Sequence, residues 1–188
     1  MNSKYKFITV EGFDGSGKSS IAKLISEKYS YKYLKTPMNA FSRAREHFDD
    51  TVELLERLSF YLGSCLSASL EIEKELDSNR LIVLDRYFYS TIAYHQAKLG
   101  YIPKAINNIL PFLQKPDLIL YIKTNFQLTI ERLNLRGLSM NDKLFLNEEH
   151  YDKIHLNYLN SFNVKYFIVD NTKDIQCAEE TINLLLEN

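Results

Sequence analysis

The sequence predicts an α/β sandwich, a parallel sheet covered by helices on both faces. Five short apolar, β-rich runs are separated by longer amphipathic segments. The runs are nearly continuous in apolar character, as expected for strands buried on both sides, and the segments between them are long enough to cross over the sheet.

The first run, "KFITV" at 6 to 10, leads into "GFDGSGKS" and then the helical pattern "SSIAKLISEKY". "YKYLK" at 31 to 35 gives a second strand. About 45 residues follow before the third, and within them "TVELLERLSFYLGSCLSASLEIEKELDS" places Leu55, Leu58, Leu62, Cys65, Leu66 and Leu70 near helical spacing. One long helix is expected there. "LIVLD" at 81 to 85 is the third strand, and "RYFYSTIAYHQ" continues as an adjoining helix. Pro103, Pro111 and Pro116 allow only a short helix before the fourth strand, "LILYI" at 118 to 122. "YFIVD" at 166 to 170 is the fifth.

A chain of 188 residues fits one domain, 1 to 188. With 45% hydrophobic and 25% charged residues it reads as globular, and no stretch approaches the roughly 20 apolar residues of a membrane span. The opening "MNSKYKFITVEG" has no secretory pattern, so a cytoplasmic location is expected. Cys65 and Cys177 form no CxxC pair, which argues against a disulfide framework or zinc site. A net charge of -1 argues against a general nucleic-acid binder.

Residues Gly12 to Ser19 satisfy G-x-x-x-x-G-K-[ST] between a strand and a helix, the context in which this motif cradles phosphate. Gly12, Gly15, Ser16, Gly17, Lys18, Ser19 and Ser20 are therefore candidate nucleotide-binding residues. The glycines let the backbone N-H groups converge on phosphate oxygens at the positive end of a helix. Lys18 supplies a mobile charge, and Ser19 offers a hydroxyl to magnesium. A guanine-reading N-K-x-D is absent, since "NTKD" at 171 to 174 has the wrong order. At the end of the third strand Asp85 is a second candidate magnesium residue and Arg86 a phosphate clamp, with Ser90, Tyr94 and Gln96 as hydrogen-bonding groups on the next helix.

These stretches resemble the thymidylate kinase family of P-loop nucleoside monophosphate kinases. The similarity rests on "FITVEGFDGSGKSS", "DRYFYSTIAY", "PDLILYIKTNFQLTIERLNLRG" and the closing strand and helix, nearly the whole chain. It implies the three-layer P-loop NTPase fold with strand order 2-3-1-4-5 and transfer of phosphate from ATP, with Mg2+, to a nucleoside monophosphate. It also implies a homodimer built around the long helix, and a lid near 136 to 148. Arg132 would lie against adenine and Arg136 at the lid's edge. Asp14 would orient the acceptor or a metal-bound water. Some members carry an arginine directly after this acid; here Gly15 follows, so the charge must come from Arg132, Arg136 or Lys143.

The acceptor side departs from bacterial thymidylate kinases. "LKTPMNAFSRAREHFDD" replaces an Arg-Glu-Pro-Gly type loop, and matching Phe60 to the base-stacking phenylalanine puts Ser64 where an arginine reads the base. His95 stands where a glutamine usually follows Ala-Tyr, with Gln96 one residue later. "KTP", "RAREHFDD" and "FYLGS" resemble instead the divergent branch of mitochondrial-type UMP/CMP kinases. A pyrimidine (deoxy)nucleoside monophosphate such as dTMP, UMP or CMP is the expected acceptor, with Phe60 or Tyr61 as the stacking face, Pro37 and Ser64 beside it, and Arg45, Arg57 and Arg86 as candidates for its phosphate. Two readings stay open beside this one: a modified nucleotide or other small metabolite as acceptor, and a nucleotide-binding protein without turnover. His47, His150 and His155 lack metal-ligand spacing. Phe41, Phe48, Phe112 and Phe145 read as packing residues.

Overall fold

The computed structural model describes residues 4–50, 52–138, 147–173 and 175–187. Five parallel strands, β1 (Phe7–Gly12), β2 (Lys32–Lys35), β3 (Ile82–Asp85), β4 (Leu118–Lys123) and β5 (Tyr166–Asp170), form one sheet in the order β2-β3-β1-β4-β5. This is the order the family resemblance implies. Register pairs Val10 with Asp85 and Gly12 with Ile122, so three strands end together at one edge. In an open parallel sheet that edge, where neighbouring connections leave in opposite directions, is the ligand crevice.

Side chains alternate across the pleat into two cores, which is why the strands read as unbroken apolar runs. On one face Ile8, Val10, Val83, Leu118, Leu120 and Ile122 pack under helix α1 (Lys18–Tyr29) and the last described helix, α8 (Ile175–Glu187). On the other, Phe7, Ile82, Leu84, Ile119 and Tyr121 meet α3 (Leu54–Asp77), α4 (Phe88–Leu99) and α7 (Glu148–Ser161). The exposed pattern of β5 marks it as an edge strand rather than one buried on both faces.

Helix boundaries have local causes. A reciprocal capping box between Glu53 and Glu56 starts α3. Asn125 accepts from Leu128 N at 2.8 Å to start α6 (Phe126–Arg136), and Asn147 accepts from His150 N at 2.7 Å to start α7. Short α5 (Ile106–Ile109) and a 3-10 turn fill the proline-punctuated stretch as expected.

The region before the long helix is richer than expected. After a 3-10 turn, Asn39–Phe41, comes a separate helix α2 (Ser42–Asp50) with no buried apolar stripe. It is held by Phe48, stacked on Phe60 of α3 at 4.3 Å and 13°, and by Arg57 Nε donating to Phe48 O at 2.8 Å. Within α3, Leu58, Leu62 and Cys65 are core, but Leu55 and Leu70 of the predicted stripe are exposed. Most of the expected lid, with Lys143 and Phe145, lies outside the described residues. Among the described residues no helix is long and apolar enough to cross a membrane.

Candidate functional site

The loop between β1 and α1 leaves no room for side chains where its glycines sit. A Cβ on Gly12 would stand 2.5 Å from Ile122 O and 2.7 Å from Ser16 Oγ, and one on Gly17 would strike the Asn171 side chain. Both have positive φ, 151° and 90°. Asn171 Nδ2 in turn donates to Ser16 O at 2.8 Å. Arg132 braces the same loop, donating to the carbonyls of Gly15 and Ser16 at 3.5 Å and of Asn171 at 3.2 Å. Ser16 Oγ is buried without a partner among the described residues.

Lys18 folds back over the loop, donating to Phe13 O at 3.2 Å and Asp14 Oδ1 at 3.3 Å. Burial and the neighbouring Arg86 push its ammonium down to about 8. The same Asp14 oxygen accepts from Arg86 Nη2 at 2.5 Å and lies 4.0 Å from Arg136 Nη1. Burial opposes its ionisation, but Arg86 and Lys18 outweigh that and hold the carboxyl well below the usual carboxylate range. Tyr94 completes the cluster: its hydroxyl accepts from Asp14 N at 3.0 Å, and its ring lies 5.5 Å from the Arg86 guanidinium.

Arg86 reaches this cluster because its backbone turns left-handed, φ 69°, directly after β3. Asp85, one residue earlier, goes elsewhere. It is wholly buried; Oδ2 accepts from Tyr33 OH at 3.0 Å and faces Lys35 Nζ at 3.6 Å, while Oδ1 has no partner among the described residues. Asp85 and Arg86 are thus not an ion pair with each other. Thr36 ties the β2 exit to this turn through Thr36 N to Asp85 O at 3.1 Å and Thr36 Oγ1 to Arg86 O at 3.0 Å. The Thr36–Pro37 peptide that follows is cis.

One residue the sequence reading passed over sits beneath Arg86. Glu11, on β1 and fully buried, accepts from Tyr87 N at 2.8 Å and from the Ser90 hydroxyl. Ser90 Oγ also accepts from Arg86 Nη1 at 3.1 Å and bonds Tyr158 OH at 2.8 Å. Burial pushes Glu11 up to about 7, against the pull of Ser90 and Arg86. A charged residue inside an apolar strand, "FITVEG", was the signal available.

A cavity of about 380 Å³ opens from the phosphate loop, and the candidates gather around it. Asp14, Lys18, Ser19, Pro37, Arg45, Arg57, Tyr61, Arg86, Ser90, Tyr94 and Arg136 all contribute to its wall. Asp49, Thr91, His95 and Lys98 join them at the end away from the loop. Seven of the lining side chains are basic and two acidic, so a chain of net charge -1 concentrates positive charge here.

Other candidates are not at the wall: Gly12, Gly15, Ser16, Gly17 and Arg132 form and brace the loop, Asp85 pairs with Tyr33 and Lys35, and Phe60, Ser64 and Ser20 lie elsewhere. Phe60 is 9% exposed and packed between Phe48 and Phe41. Ser64 is fully buried and accepts from Met38 N at 2.9 Å, fixing the loop after β2. Ser20 is exposed on α1, on the outer side. Tyr61, one residue after Phe60, stands at the wall instead, its hydroxyl donating to Asp49 Oδ1 at 2.7 Å.

The donor set suits a hard divalent cation that keeps most of its waters. Ser19 offers a hydroxyl at the cavity wall, and Asp85, wholly buried and not part of that wall, keeps one oxygen with no partner among the described residues, while no group of three or more His, Cys, Asp or Glu exists among the described residues to build an all-protein cage.

Residues 10–182 match the family model described as thymidylate kinase. The thymidylate kinase of Brachyspira hyodysenteriae is 32% identical over 202 residues, covering 98% of this chain and 95% of that protein. A probable thymidylate kinase of Archaeoglobus fulgidus is 30% identical over 192 residues, covering 96% and 94%. Among solved structures, the thymidylate kinase from Candida albicans superposes with TM-score 0.74 at 21% identity, covering 98% of this chain and 92% of that one. The deoxyadenosine kinase from M. mycoides with bound dATP gives 0.71 at 23%, covering 95% and 98%. At these identities the two structures show the fold alone. The family model spans the phosphate loop, the Asp85-Arg86 turn and the residues that line the cavity, and the chain belongs to the thymidylate kinase family, the ATP-dependent kinases of nucleoside monophosphates.

Proposed function

We propose that the chain transfers the terminal phosphoryl group of ATP to the 5′-phosphate of dTMP, giving dTDP and ADP. One observation carries this reading: a single basic cavity runs from Lys18 and Ser19 of the phosphate loop to Tyr61 and Arg45 on the opposite wall. An acceptor oxygen bonds to the terminal phosphorus as the bond from that phosphorus to the bridging oxygen of ADP breaks, and no proton need be removed from a phosphate dianion. Lys18 and Arg86 offset the charge on the transferring group, and Arg136 adds to it from the edge of the lid. Arg86 also holds the acceptor phosphate, and Asp14 keeps Arg86 and Lys18 at one point until phosphates replace it. Ser19 and Asp85 would hold magnesium, which supplies charge neutralisation across the terminal phosphates. Arg132 supports the loop on the adenine side.

UMP or CMP as acceptor, on the branch that "KTP" resembles, is a second reading. It is favoured by Ser64, whose burial on Met38 N leaves no arginine at that point of α3 to read a thymine. Assembly as a homodimer around α3 belongs to the same proposal, supported by exposed Leu70 and Phe112 beside it. Monomeric light scattering would count against that part.

Coupled turnover with ATP, Mg2+ and dTMP, dUMP, UMP, CMP or dCMP is the test. dTMP is expected to turn over fastest, and Lys18→Ala to lower the rate by about 100-fold or more. Turnover with none of the five sinks the proposal, and tight ATP binding without transfer would favour a regulatory protein.

A further inference from the structure

Four groups beside the phosphate loop are joined in a row, and their hydrogens can be counted. Gly12 O accepts from Tyr158 OH at 3.1 Å, Tyr158 OH meets Ser90 Oγ at 2.8 Å, and Ser90 Oγ meets Glu11 Oε2. Three contacts need three hydrogens. A carbonyl contributes none and each hydroxyl one, so the third can come only from Glu11. With Glu11 ionised, Ser90 turns its hydrogen to the carboxylate, and the contact between Ser90 and Tyr158 is left without one, since that of Tyr158 lies on Gly12 O. With Glu11 protonated, Glu11 donates to Ser90, Ser90 to Tyr158 and Tyr158 to Gly12 O, and every contact is filled. Ser90 Oγ then accepts twice, from Glu11 and from Arg86 Nη1 at 3.1 Å. Glu11 Oε1 accepts from Tyr87 N at 2.8 Å in either state. Glu11, Ser90 and Tyr158 are all buried, where an unfilled contact between polar atoms is destabilising.

Resting on the kinase reading above, we infer that Glu11 is a positioning residue that works as a neutral acid, its proton starting the relay through Ser90 and Tyr158 that fixes the Arg86 guanidinium against the phosphate loop. Glu11 itself does not line the cavity, so its effect passes through Arg86. The surroundings agree with a neutral carboxyl. Cys65 of α3, Tyr89 of α4, Tyr121 of β4 and Tyr158 of α7 face it, each held neutral by burial. Of the two charged groups near it, Asp85 opposes ionisation and Arg86 favours it, but Arg86 Nη2 is already matched to Asp14 at 2.5 Å. Burial outweighs Arg86 and pushes Glu11 up to about 7. Phosphates arriving in the cavity add negative charge and favour the proton further. A neutral acid suits the reaction in two ways. It holds Arg86 Nη1 through Ser90 without competing with phosphate for the guanidinium charge, and it places no negative charge beside two phosphate groups that must be brought together.

The test has a spectroscopic arm and a kinetic arm. The infrared difference spectrum of wild type minus Glu11→Gln, taken at about pH 6 and so below the value of Glu11, is expected to show the carbonyl stretch of a protonated carboxyl. A carboxylate band alone overturns the inference. In turnover with ATP, Mg2+ and dTMP, Glu11→Gln reproduces the neutral acid, its amide oxygen accepting from Tyr87 N and its NH2 donating to Ser90, and is expected to keep kcat within about threefold of wild type. Glu11→Met fills the space with neither bond and is expected to lower kcat about 100-fold while the KM for ATP changes by less than about threefold. Glu11→Gln as slow as Glu11→Met, or folded Glu11→Met with the kcat of wild type, overturns the role of Glu11 and leaves the kinase reading intact. If Glu11→Met does not fold, Ser90→Ala, which cuts Glu11 from Arg86, decides: a kcat lowered at least about tenfold supports the relay, and an unchanged kcat overturns it. Wild type inactive on every monophosphate removes the kinase reading and the positioning role together, an outcome set apart from the others because only there does wild type itself fail.

Discussion

Arg86 Nη2 donates to Asp14 Oδ1 at 2.5 Å across 72 residues of sequence, joining the phosphate loop to the turn after β3. Neither group is placed by its own element alone. Asp14 is presented by the loop that Gly12 and Gly17 allow, and Arg86 by a left-handed backbone that swings it away from Asp85. The pair brings the phosphate loop and the turn after β3 to one oxygen, which also draws Lys18.

Arg86→Lys keeps the charge and loses the fork. Arg86 Nη2 serves Asp14 while Nη1 serves Ser90, a division one ammonium cannot reproduce with the same geometry. The variant is expected to lose about 100-fold in kcat/KM for the acceptor, with the affinity for ATP changed by much less. Steady-state kinetics with each substrate varied in turn checks this; loss confined to the KM of ATP would contradict it.

Gly12→Ala should fail for steric reasons. Its Cβ would meet the carbonyl of Ile122 at 2.5 Å, a backbone atom fixed in β4, at a φ of 151° that side chains rarely adopt. A loss of about 2 kcal/mol or more in stability is expected, together with loss of ATP binding, measurable by urea unfolding and by titration with the nucleotide.

Glu11 gives a pH dependence with a definite sign. Its folded value near 7 lies above its ordinary 4.5, so between these pH values the folded protein holds a proton that the unfolded chain has released. Stability from this group is therefore complete below pH 4.5 and lost as pH rises through 7. Glu11→Gln mimics the protonated form. Relative to wild type it is expected to gain about 1–3 kcal/mol above pH 8 compared with its standing at pH 4.5. Unfolding of both proteins across that range, without nucleotide, tests it; a difference that does not change with pH would exclude the assignment. The comparison cancels His95, whose lowered value makes stability fall as pH drops below 6.5.

Phe60→Ala separates packing from recognition. The ring is stacked on Phe48 and edge-on to Phe41, joining α2 to α3. Its removal is expected to cost about 3 kcal/mol of stability while leaving the ratio of dTMP to dUMP rates unchanged. Tyr61→Ala, at the cavity wall, should instead raise the acceptor KM.

Much of this was legible in the chain itself. Five apolar runs gave five strands, because burial on both faces demands continuous apolarity, and G-x-x-x-x-G-K-S gave the phosphate loop, because its local backbone needs glycine whatever surrounds it. Asp85 and Arg86 could be assigned to the ligand edge for the same reason: strand ends are set by strand position. The acceptor end was less readable. Helix α2 has no apolar stripe, and its place depends on Phe48 finding Phe60.

Which of two adjacent aromatics reaches the cavity is a matter of helix rotation, about 100° per residue, and packing turned Tyr61 to the wall and Phe60 into the α2–α3 contact. Glu11 was hidden inside an apolar run, and its role became visible only when Ser90 and Tyr87 were folded onto it. The sequence by itself determined the strands, the phosphate loop and the edge of the sheet that the cavity opens on, since these follow from local backbone and burial requirements. The tertiary structure decided which oxygen gathers Lys18 and Arg86 and which ring faces the cavity, since each depends on contacts between residues far apart in the chain.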